Sequence, residues 1–135
     1  MSKIIVTATT DNLPVVLEFI DEQLEAADCG IKAQMQLDIA VEELYVNIAH
    51  YAYDPETGDA EIRFEIKEDP RRAEITFIDS GIPYDPVAKP DPDVTLSAAD
   101  RSIGGLGIYL AKKNTDSMVY KREEEKNILI ITKNI

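Results

Sequence analysis

The order of predicted elements points to an α+β fold: an antiparallel-rich sheet with helices gathered on one face. Three observations carry this. Segments with two-residue alternation come in neighbouring pairs joined by short turns. Two helical segments follow one another without a strand between them. A length of 135 residues with 44% apolar residues suits one domain, 1–135, with a real core. The predicted order is strand, two helices, hairpin, long loop, short helix, hairpin.

Lys3 to Thr9 is rich in β-branched residues and reads as a strand. Thr10-Asp11-Asn12-Leu13-Pro14 is a helix start, a capping residue followed by Pro in the first turn. Val15, Val16, Phe19, Ile20 and Leu24 then recur at helical spacing to about Ala27, and Gly30 is expected to end that helix and open the next. Ile31 to Tyr51 holds neither Pro nor Gly and predicts a helix. Asp54 to Asp59 is a turn. Ala60 to Lys67 and Ala73 to Ile78 alternate and form a hairpin. Ser80 to Ile103 carries four prolines and little periodicity, as a functional lid or a disordered segment does, with one short helical turn expected at Leu96 to Asp100. Gly104-Gly105-Leu106-Gly107 opens a short helix, Ile108 to Asn114. Ser117 to Lys121 and Asn127 to Thr132 close the chain as a hairpin, with Arg122 to Lys126 as its turn.

The long helix is unusual. Leu37, Val41, Leu44 and Ile48 form one apolar stripe, and Met35, Ile39 and Val46 a second. Between them runs a polar line: Gln36, Glu43, Asn47 and His50. Gln34, Asp38, Glu42 and Tyr45 are expected to face water. An unpaired carboxylate is costly to bury, so a Glu flanked by apolar residues predicts a cavity that holds something polar. Taken alone, Glu43 and Asn47 read more simply as an ordinary helix-surface pair, or Glu43 as tied to a core hydrogen bond; the rest of the chain shifts the balance.

The net charge of −12 argues against nucleic acid and favours a basic protein surface as partner. An anionic nucleotide would need helix N-termini, backbone N–H groups and a metal. No stretch has the length or apolarity of a membrane span or signal peptide, and Cys29 stands alone, so a cytoplasmic, reducing compartment is expected. Cys29 reads as structural.

Three segments can build one site. The first is Glu43 and Asn47. The second is Asp79-Ser80-Gly81 at a strand end, where an Asp can accept from an exocyclic amine and a Gly admits a flat ligand; the same triplet is ordinary turn chemistry. The third is Gly104 to Gly107, whose N–H groups can cradle phosphate, or which serves as a hinge.

In this order and spacing the three segments resemble the GHKL ATPase superfamily over nearly the whole chain. Glu43-x-x-x-Asn47 is similar to its N box, Asp79-x-Gly81 to its G1 box, and Gly104-Gly105-Leu106-Gly107 to its G2 box. Ala40 to Tyr53, Asp79 to Pro86 and Gly104 to Lys113 further resemble the stand-alone serine-protein kinases that act as anti-sigma factors (the RsbW and SpoIIAB type). Pro83 stands where the wider superfamily has a second Gly, a mark of that branch. The resemblance implies a Bergerat-type two-layer α/β sandwich with a mixed, mostly antiparallel sheet and a mobile ATP lid. It implies that Asn47 holds Mg²⁺, that Glu43 is the general base, that Asp79 and Gly81 seat adenine, and that Gly104, Gly105, Leu106 and Gly107 cover the phosphates of ATP. Arg101, Lys112 and Lys113 are candidate cations or solvated charges. His50 either touches the ligand or packs in the core, and Tyr84 packs near the lid. The implied function is an ATP-dependent serine/threonine-protein kinase whose substrate is a STAS-domain anti-anti-sigma-like protein, with a sigma factor or a different regulatory target as the other partner and a homodimer as the assembly. The alternative is a nucleotide-binding regulatory switch without efficient transfer.

Overall fold

The structure is a computed structural model that describes residues 1–88 and 105–135. The lid prolines Pro90 and Pro92, the turn expected at 96–100, Arg101 and Gly104 lie outside the described residues. Five strands form one sheet: β1 (Ser2–Thr7), β2 (Asp59–Lys67), β3 (Arg72–Asp79), β4 (Ser117–Glu123) and β5 (Lys126–Asn134). Their order is β1-β2-β3-β5-β4, and every pairing is antiparallel. The expected mixed, mostly antiparallel sheet is wholly antiparallel among the described residues: β2–β3 and β4–β5 are hairpins, and β1 joins β2 antiparallel across the two intervening helices. The helices are α1 (Leu13–Ala26), α2 (Ile31–Tyr51) and α3 (Gly105–Lys113).

The predicted alternation decides which sheet face is covered. Ile62 and Phe64 of β2, Ile75 and Phe77 of β3, and Leu129 and Ile131 of β5 are buried, while their neighbours Glu61, Arg63 and Thr76 are only half-buried. Val16, Ile20 and Leu24 of α1 and Leu37, Val41 and Leu44 of α2 complete the same apolar cluster. This is a two-layer α+β sandwich. Because β3 is the central strand, its last residue, Asp79, lies deep: it is opposite Ala60 on β2 and Asn127 on β5.

Three local readings change. Gly30 does not end α1. Asp28 takes the left-handed conformation (φ 56°), the Cys29 N–H donates to the Leu24 carbonyl (3.0 Å) and the Asp28 N–H to that of Glu25 (3.1 Å). That is a Schellman closure built on Asp, leaving extended Gly30 as the residue before α2. Tyr45, expected at the surface, is fully buried. Its hydroxyl donates to the Thr9 carbonyl (2.7 Å) and accepts from the Thr9 N–H (3.2 Å), so it satisfies the backbone where β1 turns into α1. Met35 and Ile39, by contrast, are exposed at 61% and 40%, so the second apolar stripe of α2 is an outer surface rather than a wall. Gln34 and Asp38, also expected to face water, are half-buried, and the Gln34 amide donates to Asp21 of α1 (3.2 Å).

Candidate nucleotide site

A cleft opens between α2 and the sheet. Leu44, Ile48, Phe77 and Leu129 give it apolar walls, Tyr84 and Tyr120 lie along it, and its polar groups converge from three elements: Asn47 of α2, Asp79 of β3 and Asn127 of β5. An apolar slot with a few placed polar groups suits a flat heterocycle.

At the strand end of the cleft the geometry is tightly determined. Asp79 is 6% exposed. Its Oδ1 accepts from the Gly81 N–H (2.9 Å) and from the Asn127 side-chain amide (2.9 Å). Among the described residues no hydrogen bond reaches Oδ2, which leaves one acceptor for a ligand amine. Gly81 is required by close approach: a Cβ there would overlap the Ala52 carbonyl at the end of α2, and that carbonyl accepts from the Ile82 N–H (3.0 Å). The Tyr53 hydroxyl receives the Ser80 N–H (2.8 Å) and donates to the Asp59 carbonyl (2.6 Å), while the Arg122 guanidinium donates to the Gly81 carbonyl (2.9 Å). The loop after β3 is thus held by α2, β2 and β4 together.

At the helix end Asn47 lines the cleft, and Glu43 sits one turn earlier, half-buried, at the seam between α2 and α3. Burial pushes the Glu43 carboxyl above its usual range, and the neighbouring Glu42 charge adds to this. Gly105 and Leu106 open α3, and Gly107 is its third residue, so the glycine segment begins the helix three residues before the expected Ile108. A Cβ on Gly107 would stand 2.6 Å from Glu43 Oε2, so any larger residue there would require the end of the Glu43 side chain to shift. The N–H groups of these first helical residues have no partner within their own helix and are suited to an anion.

Other expected residues lie apart. His50 is exposed, edge-on to the Tyr51 ring (5.9 Å), which corrects its reading as a packed core histidine; it does not line the cleft. Lys112 is half-buried and borders a separate hollow with Val87 and Thr115. Lys113 lies over the Tyr109 ring at 5.4 Å. Asn127, Tyr53 and Arg122 are not among the site residues that the sequence predicts. For Asn127 a signal existed: it shares the alternating phase of Leu129 and Ile131, a polar residue on the core face of a strand.

The family model of the histidine kinase-like ATPase domain matches residues 6–133, and the chain belongs to that family. Membership implies ATP binding and kinase-like or ATPase chemistry. Comparison with curated proteins finds no match. Among the described residues no helix is long and apolar enough to cross a membrane.

The residues present fit magnesium bound through a nucleotide. Among the described residues no group of three or more His, Cys, Asp or Glu side chains could hold a metal. One Asn oxygen suits an ion that keeps several waters and is shared with phosphates.

Proposed function

We propose that this protein is an ATP-dependent serine/threonine-protein kinase of the anti-sigma-factor type, acting on a STAS-domain antagonist protein, with a sigma factor as its second partner. The observation that carries the reading is Glu43: a carboxylate with a raised proton affinity, one turn from Asn47, against the first turn of α3 in an ATP-binding family. Its chemistry suits a general base. The acceptor hydroxyl oxygen forms a bond to the γ-phosphorus, the bond from that phosphorus to the bridging oxygen breaks, ADP leaves, and the hydroxyl proton passes to Glu43. Asn47 would hold Mg²⁺, which supplies charge neutralisation between the phosphates. Asp79 Oδ2 would accept from the adenine amine, and the N–H groups at Gly105, Leu106 and Gly107 would face the phosphates. The net charge of −12 supports a basic face on the protein partner.

The same Glu43–Gly107 contact favours a second reading, a regulatory switch in which the carboxylate ties α2 to the start of α3 and nucleotide occupancy alters partner binding. Purified protein, Mg-ATP and a STAS-domain acceptor separate the two. Under the kinase reading wild type phosphorylates the acceptor and Glu43→Ala binds nucleotide but transfers about 10²–10⁴-fold more slowly. Equal transfer by both removes Glu43 as the base; nucleotide-dependent acceptor binding with no transfer by wild type selects the switch.

A further inference from the structure

Asn127 is 6% exposed, and its side-chain amide uses every hydrogen bond it can make. Nδ2 donates to Asp79 Oδ1 (2.9 Å) and to the Ile82 carbonyl (2.8 Å). Oδ1 accepts from the Tyr84 N–H (3.3 Å) and from the Tyr120 hydroxyl (2.5 Å). The orientation is forced, because a carboxylate and a carbonyl can only accept and a backbone N–H can only donate. A saturated amide has nothing left for a ligand. Its position opposite Asp79 in the β3–β5 register aims it at the carboxylate instead.

We infer that Asn127 is the positioning residue for base recognition: it locks Asp79 so that Oδ2 alone faces the cleft, and it ties that carboxylate to the backbone at Ile82 and Tyr84. Selectivity for a 6-amino purine is then set by Asn127 acting through Asp79. This rests on the strand end of the cleft seating the base, and is independent of whether transfer occurs. No other side chain of similar size replaces it. Leu offers no hydrogen bond. Asp offers no donor when ionised and sets a second carboxylate against Asp79. Two such groups share one proton, so the aspartate variant regains its donor as pH falls.

The probes are ADP and inosine diphosphate, which lacks the 6-amino group, titrated calorimetrically into wild type, Asn127→Leu, Asn127→Asp and Tyr120→Phe, each first shown to melt cooperatively. Wild type should prefer ADP about 10- to 100-fold, as expected for one hydrogen bond to a buried charge. Asn127→Leu should lose most of that preference at every pH. Asn127→Asp should lose it at pH 8 and recover it relative to wild type by pH 5.5. Tyr120→Phe should lose a smaller part, and it carries the test if the Asn127 variants do not fold. Wild type binding both nucleotides equally would overturn the base-seat reading and this inference with it. A wild-type preference that survives intact in folded Asn127→Leu, or in Tyr120→Phe where only that variant folds, overturns the role of Asn127 alone. So does an Asn127→Asp preference that does not change with pH.

Discussion

Asp79 shares one oxygen between two donors and the loop that follows it is held from three elements, whereas Asn47 at the other end of the cleft, and Glu43 one turn before it at the α2–α3 seam, make no side-chain hydrogen bond among the described residues. The contrast follows from what each end is built on. Asp79 and Asn127 are register partners on adjacent central strands, so backbone pairing fixes their separation. Glu43 and Asn47 sit along a helix, with α3 as the nearest neighbour across a glycine contact. A ligand group that never changes its bonding is best met by an acceptor whose direction is fixed in advance by its neighbours. A reacting end needs a carboxylate free to take a proton and an amide oxygen free to meet a metal. Saturating that end would remove its chemistry.

The comparison can be broken at several places. The largest effect is expected for Asn47→Ala, which should abolish the magnesium dependence of ATP affinity; isothermal titration with and without magnesium checks this, and an unchanged difference removes Asn47 from the metal site. Gly107→Ala comes next. Alanine is the better helix former by about 1 kcal/mol, so the melting temperature should hold or rise. Yet the new methyl meets Glu43 Oε2, and turnover should fall about tenfold as the carboxylate is displaced. A variant as active as wild type would show that Glu43 has no fixed position to lose.

The smallest effect concerns α2 far from the cleft. Asp38 is pushed up to about 7 by burial first, then by a hydrogen bond shared with Asp21 and by the charges of Asp21, Glu25 and Glu42. Its folded value lies above the ordinary 3.8, so the folded state holds this proton more tightly than the unfolded chain does. The stabilisation is fully present below about pH 4 and is lost as pH rises to about 7. Asp38→Asn should therefore raise the melting temperature by about 2–4 °C at pH 8 and hardly at all at pH 4. ATP affinity should not move. A shift in affinity would couple the outer half of α2 to the site and erase the separation drawn here.

Much of this was legible in the chain. Alternation at Ile62, Phe64, Ile75 and Phe77 names the buried sheet face without coordinates. The four-residue spacing of Glu43 and Asn47 puts them on one side of α2, and Asp79 is recognisable as a strand-end acid. What escaped depends on partners distant in sequence. Tyr45 has the look of a surface residue until the Thr9 backbone, 36 residues away, supplies its hydrogen bonds. Asn127 becomes a site residue only because β5 enters the sheet beside β3, 48 residues from Asp79. Gly107, which reads as loop chemistry, lies inside α3 and close to the Glu43 carboxylate, a proximity that depends on how α3 packs on α2. Asp28 in the left-handed position went unread because a glycine stood two residues further on.

The separation of binding from chemistry is tested most directly by measuring, side by side, ADP affinity and Mg-ATP turnover in Asp79→Asn and Glu43→Ala. Asp79→Asn should lose affinity for ADP, while Glu43→Ala should bind ADP as wild type does and turn over ATP about 10²–10⁴-fold more slowly. Loss of ADP affinity in Glu43→Ala with turnover intact in Asp79→Asn would contradict the assignment of the two ends.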